Sequence, residues 1–182
     1  MARTPSTMLP LGTALPSFRL PDFDGKVAPT EDFWGRPLLV MFLCNHCPFV
    51  KHVRGELAAL GRDYQARGVG VVAINSNDYI AYPADSPDLM RKESAEAGYT
   101  FPYLVDESQS VAKAFAAACT PDFFLFDATA KLVYRGQLDG SRPGNEVPVT
   151  GRDLRLALDS LLAGKPVSEN QIPSLGCNIK WK

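Results

Sequence analysis

Two unbroken apolar runs, Leu38-Leu39-Val40-Met41-Phe42-Leu43 and Val69-Gly70-Val71-Val72-Ala73-Ile74-Asn75, stand out from a chain whose hydrophobic positions are otherwise spaced. Each has the length of a strand and is bounded by turn residues, as strands buried on both faces are. Between them Leu57, Leu60 and Tyr64 recur at helical spacing behind Val50 and Val53, and Gly68 closes the helix. A strand, a helical crossover and a second strand predict a right-handed βαβ unit with parallel strands.

The remaining pattern extends this unit in both directions. Phe18-Arg19-Leu20 alternates as a short strand and Asp24-Gly25 reads as a hairpin turn. Ser86-Pro87-Asp88-Leu89 opens a helix with an N-cap and a first-turn proline, ending near Gly98. Tyr103-Leu104-Val105 predicts a short strand and residues 109–117 a helix. Phe123 to Phe126 and Lys131 to Arg135 flank the turn 127–130 as an antiparallel hairpin, and Leu154, Leu158, Leu161 and Leu162 form the apolar face of a last helix from Gly151 to Ala163. Residues 1–16 and those from Gly164 onward show no periodicity. The expected organisation is an N-terminal arm over 1–16, one domain over 17–163 and a C-terminal tail over 164–182, which Ile179 and Trp181 anchor on the body. The element order predicts a three-layer α/β/α sandwich with a mixed central sheet and an α/β insertion.

Composition narrows the function. A chain of 182 residues that is 46% hydrophobic can bury a core without disulfide or metal staples. Nineteen basic and twenty acidic residues leave a formal charge of −1, which gives no footprint for nucleic acid or an anionic membrane. The opening residues carry no signal-peptide core and no segment is long enough to span a bilayer, so a cytoplasmic location is expected. In that reducing compartment four cysteines suggest catalysis or metal binding ahead of structural bridging.

The chemistry concentrates at Cys44-Asn45-His46-Cys47, between the first apolar run and the first helix. Two cysteines three positions apart at a strand–helix junction can close a disulfide, and the positive end of the helix favours thiolate. Pro48 lacks an amide hydrogen, which places residues near 45–48 in the first helical turn and Cys44 at the helix N-terminus. A protonated His46 would stabilise the thiolate further and make the couple more oxidising than thioredoxin's roughly −270 mV. The bland alternatives are buried cysteines acting as small hydrophobes and a solvent-exposed histidine. His52 reads as a surface helix residue.

These residues carry a resemblance. The strand-Cys-x-x-Cys-helix unit, Thr120-Pro121 before a strand and the closing hairpin plus helix resemble the thioredoxin fold. The arm from Leu11-Gly12 to Phe18 with the Asp22-Phe23-Asp24-Gly25-Lys26 hairpin extension resembles the peroxiredoxin and thioredoxin-like reductase branch. Cys44-Asn45-His46-Cys47-Pro48-Phe49-Val50, Cys119-Thr120-Pro121-Asp122-Phe123-Phe124 and Gly176-Cys177-Asn178-Ile179-Lys180-Trp181 resemble a peroxiredoxin-like group of the AhpC/TSA type. The resemblance implies a thiol–disulfide oxidoreductase without cofactor, acting on protein or small-molecule disulfides and served by a thioredoxin- or glutathione-type thiol donor. It makes Cys44 the exposed nucleophile and Cys47 the resolving thiol. It also implies a cis Thr120–Pro121 bond against the dithiol, with the backbone of Thr120 pairing with the substrate chain. Cys119 and Cys177 stand as additional redox thiols or, for Cys119, as a packed small residue.

Two other readings compete. A peroxidase would use Cys44 against peroxide, with Cys47, Cys119 or Cys177 resolving the sulfenic acid, as an antioxidant. In the spacing Pro-x-x-x-Thr-x-x-Cys that peroxiredoxins resemble, Pro37 fits, but Met41 stands where a hydroxyl is needed and Pro121 near the position of the active-site arginine. A metal-handling protein would use Cys44, His46 and Cys47 with a distant cysteine, although only one close ligand pair is visible. Haem attachment is excluded because Pro48, not histidine, follows the second cysteine.

Overall fold

The computed structural model describes residues 3–182; Met1 and Ala2, the first residues of the expected arm, lie outside it. Two strands at its centre, β4 (Leu38–Phe42) and β5 (Gly70–Asn75), pair in parallel around helix α1 (Pro48–Gln65). Strand β6 (Tyr103–Val105) extends the sheet in parallel beyond β5. On the other side β8 (Asp122–Phe126) and β9 (Leu132–Gly136) add an antiparallel hairpin, so the order is β6-β5-β4-β8-β9. The mixed sheet and the parallel crossover are those expected from the apolar pattern.

Why the central strands are apolar throughout follows from what covers each face. Leu39, Met41 and Leu43 point toward α1, helix α2 (Pro87–Ala97) and helix α4 (Arg152–Leu162), where Leu57, Leu60, Met90, Leu154 and Leu158 complete one core layer. Leu38, Val40 and Phe42 point the opposite way, toward Phe18, Leu20, Phe33 and the short helix α3 (Ser110–Ala114). Successive strand residues therefore enter different cores, and neither set meets water. Phe42, Phe115 and Phe124 form an edge-to-face cluster, with centroids 5.3–5.8 Å apart, in the second layer.

Four local features depart from the sequence pattern. The expected helix over 109–117 is only five residues long, because Gln109 before it and Ala116 after it adopt positive φ. Short strand β7 (Cys119–Thr120) precedes β8, separated by the cis Thr120–Pro121 bond. Within the arm Thr4–Pro5 is strand β1, and within the tail Leu175–Asn178 is strand β10. These three pair antiparallel in the order β1-β10-β7, a second small sheet beside the dithiol. The N-terminal hairpin is β2 (Arg19–Pro21) with β3 (Val27–Pro29), closed by the Asp22 and Lys26 turn. Among the described residues no helix is long and apolar enough to cross a membrane.

Candidate active site

The helix begins one residue after the dithiol motif. Pro48 occupies the first helical position, where a missing amide hydrogen costs nothing, so Cys47 is the N-cap of α1, with extended φ and ψ of −68° and 123°. Residues 45–47 thus precede the helix and do not form its first turn. Cys44 lies farther back, two residues beyond the end of β4, and is 1% exposed; Cys47 is 0% exposed. The expectation of an exposed Cys44 at the helix terminus is therefore corrected. The strand's apolar run continues into the site, and β10 covers it.

Three segments converge on the two sulfurs. The Cys44 thiol lies beside Cys47 in the core cluster and 3.1 Å from Thr120 Oγ1. The Cys47 thiol faces the carbonyl oxygen of Thr120 at 3.3 Å. On its other side Cys47 packs with Cys177 in the same buried cluster. Register explains this contact, since Cys177 pairs directly with Thr120 and Asn178 with Cys119. Gly176 permits the approach: a Cβ there would collide with the carbonyl of Thr120. Cys119 is buried but turned to its own strand, donating to the carbonyl of Pro121 at 3.6 Å.

A polar shell holds the loop between the cysteines. Asp85, in the 3₁₀ turn Pro83–Asp85 and 0% exposed, accepts the amides of Asn45 at 2.8 Å and His46 at 3.3 Å through Oδ1. Its Oδ2 lies 2.6 Å from Nδ1 of His46 and accepts Nδ2 of Asn77 at 2.8 Å. Asn75 donates to the backbone carbonyl of Asp85, Asn45 donates to that of Ala84, and the Tyr103 hydroxyl donates to Oδ1 of Asn45. His46 stacks on Tyr82 with the rings 8° from parallel. A carboxylate buried in this way is stable only with such a full set of donors.

Electrostatics divides the sulfurs sharply. Hydrogen bonding from Cys44 is the largest effect on Cys47, followed on the favourable side by the thiol and backbone of Cys177 and the Val50 amide, and it is held down to about 5 against its burial. The Val50 amide acts from the first turn of α1, too loosely to form a capping hydrogen bond. Cys44 moves the other way, well up, because its proton is committed to Cys47, it is buried and the Asp85 carboxylate is near. Burial and the neighbouring Cys47 push Cys177 up to about 12. Burial above all pushes Cys119 upward as well. Ionisation is thus easier at Cys47 than at Cys44, the reverse of the order expected from the helix dipole.

His46 does not act on Cys44 as the sequence suggests. Its Nδ1 is committed to Asp85, and the charge that bears on Cys44 is that carboxylate. One sulfur, nitrogen and oxygen atom of Cys44, His46 and Asp85 also lie within 4.8 Å of one another. This differs from the expected ligand set, which named Cys47 in place of Asp85, and the four N–H groups around Asp85 already account for the convergence. His52 is an exposed residue of α1, as expected, with its Nε2 bonded to Ser141 at 2.7 Å.

Asp85 escaped the sequence reading, as did Asn75, Asn77 and Tyr103. The available signal was the polar stretch Asn75-Ser76-Asn77-Asp78 directly after an apolar strand parallel to β4. Parallel neighbours end at the same edge of a sheet, so polar residues there face the residues that follow β4.

Comparison with known proteins agrees with this architecture. The model of the AhpC/TSA family matches residues 11–135. Thiol-disulfide oxidoreductase ResA of Geobacillus thermodenitrificans is 27% identical over 130 residues, covering 71% of this chain and 70% of that protein. The crystal structure of an uncharacterized conserved protein from Geobacillus kaustophilus is 57% identical with a TM-score of 0.97, covering 100% of this chain and 97% of the other. A hypothetical protein from Sinorhizobium meliloti is 51% identical with a TM-score of 0.96 over 98% of both chains. A DsbE-type thiol:disulfide interchange protein from Chlorobium tepidum, at 23% identity and a TM-score of 0.67 over 85% of this chain and 99% of the other, shares the thioredoxin-like fold.

Proposed function

This chain belongs to the AhpC/TSA family, and from that premise we propose that it is a thiol–disulfide oxidoreductase whose redox couple is Cys44 and Cys47. The observation that carries the reading is the convergence of the two sulfurs on one residue at the N-terminus of α1: Cys44 Sγ lies 3.1 Å from Thr120 Oγ1 and Cys47 Sγ 3.3 Å from the Thr120 carbonyl oxygen. The similarity to proteins named thiol-disulfide oxidoreductase ResA supports it.

In the proposed cycle Cys44 passes its proton to Cys47 and attacks one sulfur of a substrate disulfide. That disulfide breaks, the second substrate sulfur leaves as thiolate, and Cys44 holds the first in a mixed disulfide. Cys47, giving its proton to the departing thiolate, then attacks Cys44 and releases the first substrate sulfur. The substrate gains two electrons and leaves as one thiol and one thiolate, which takes its proton from water, and the enzyme loses two electrons as the Cys44–Cys47 disulfide. A thioredoxin- or glutathione-type thiol donor restores the dithiol. Cys44 is assigned the attack because Cys47 is flanked on both sides by sulfur and backbone. The substrates are protein or small-molecule disulfides, and the working compartment is the reducing cytoplasm, where free thiols persist.

Insulin reduction with dithiothreitol tests this. Turbidity should develop with the wild type and fall to the uncatalysed rate in Cys44→Ser and Cys47→Ser. Turnover of hydrogen peroxide with no turnover of disulfides would overturn it.

A further inference from the structure

We infer that Cys177 is a third redox-active thiol of this site, able to take over the bond to Cys47 from Cys44 by intramolecular disulfide exchange. The inference rests on the reading of Cys44 and Cys47 as a redox couple.

The geometry comes from β10. Its antiparallel pairing with β7 sets Cys177 opposite Thr120, the residue whose hydroxyl and carbonyl contact Cys44 and Cys47. Cys47, whose thiol faces that same carbonyl, consequently lies between Cys44 and Cys177 in one buried cluster. The strand is held firmly in this position. On one side it pairs with β1, beyond it Ile179 is buried in the core and donates its amide to Ala118, and the Lys180 amide donates to Asn77 Oδ1 at 2.9 Å. Asn77 also donates to Asp85, so the shell around the Cys44–Cys47 loop and the strand bearing Cys177 share one side chain. Cys177 is 7% exposed, which leaves Cys47 as its evident partner and not a thiol from solution.

The step balances within the chain. Once Cys44 and Cys47 are joined, the Cys177 thiolate attacks Cys47 Sγ, the Cys47–Cys177 bond forms, the Cys44–Cys47 bond breaks and Cys44 departs as thiolate to take up the proton Cys177 released. No net oxidation occurs. Cys44 becomes a free thiol again while the oxidising equivalent waits at Cys47–Cys177. Burial is the main cause that holds the Cys177 thiol up, and in the reduced site the neighbouring Cys47 adds to it; the second contribution ends when Cys47 enters a disulfide, so the Cys177 thiol ionises more readily in the oxidised site, with Lys180 acting in the same direction.

The test is disulfide connectivity. Wild-type protein and Cys44→Ser are equilibrated in a glutathione redox buffer, acid-quenched, alkylated and digested without reduction, and the linked peptides identified by mass spectrometry. Wild type should contain both Cys44–Cys47 and Cys47–Cys177 peptides. Of the three cysteines left in Cys44→Ser (four less one), oxidation should consume two and leave Cys119 free. Absence of the Cys47–Cys177 peptide from either protein overturns the inference, and the wild-type measurement decides it even if the variant folds poorly. Failure of the underlying reading looks different: wild type would then lack the Cys44–Cys47 peptide and Cys44→Ser would keep its insulin reductase activity.

Discussion

Nδ1 of His46 stands 2.6 Å from Oδ2 of Asp85, so the histidine of the motif is bound to a buried carboxylate and not to a thiol. What reaches Cys44 is the negative charge of Asp85, which disfavours a second thiolate beside Cys47.

Asp85→Asn should therefore ease ionisation of Cys44, stabilise the reduced dithiol and shift the potential to a more positive value. The scale is on the order of 30 mV for each unit by which the thiol pKa falls. The same change turns an amide toward N–H donors and should cost about 1–3 kcal/mol of stability. Equilibration with glutathione and urea unfolding measure the two effects. A potential shifted to more negative values would remove Asp85 from control of the couple.

Gly176 governs the other side of the site. Because its Cα passes directly over the carbonyl of Thr120, Gly176→Ala must push β10 away from β7. The expected cost is about 1–3 kcal/mol, typical of overpacking. Cys177 should then react with Ellman's reagent several-fold faster than in the wild type, since the strand that shields it is displaced. Unchanged melting and unchanged thiol reactivity would show that the strand adjusts without moving the sulfur.

Much of the scaffold was legible because its signals are repeated along the chain. The runs at 38–43 and 69–75 are continuous because each residue faces one core layer or the other, and Leu154 and Leu158 are spaced by helical geometry. The site was less legible. Cys44 and Cys47 are visible as a spacing, but their charge depends on Cys177 and Asp85, each brought in from another part of the chain. β10 and β1 are two to four residues long, too short to show a period, and are held by backbone pairing that leaves no repeated side-chain pattern. Asp85 sits in a 3₁₀ turn whose neighbours Pro83 and Ala84 read only as loop.

Asp122 offers a test of burial alone. It lies at the start of β8, is 0% exposed, has no partner for Oδ2 among the described residues, and burial raises it to about 7. Between its ordinary value and 7 the folded protein holds a proton that the unfolded chain has lost. Its contribution to stability is thus full below about pH 4, falls by about 1.4 kcal/mol per pH unit as pH rises through that window, and levels off above 7. Asp122→Asn abolishes this dependence. Urea unfolding at pH 5 and pH 8 should show the stability difference, variant minus wild type, growing at the higher pH; a pH-independent difference would contradict the burial argument.

Cys47 should titrate far below an ordinary thiol. Ultraviolet thiolate absorbance of the reduced protein should rise with a midpoint near pH 5, and Cys47→Ser should abolish that step. Cys44→Ala removes the largest influence that lowers the sulfur, so its midpoint should move upward, with burial then opposed only by Cys177 and the Val50 amide. Linkage gives an independent check with the opposite sign to Asp122. The folded pKa lies below the unfolded one, so this group adds stability as pH rises from about 5 toward 8.5, holds it fully above that, and loses it as pH falls through 5. Wild type should accordingly gain stability relative to Cys47→Ser between pH 5 and pH 8. If the acidic step survives in Cys47→Ser and disappears in Cys44→Ser, the charge belongs to Cys44, and the order of proton transfer between the two sulfurs is reversed.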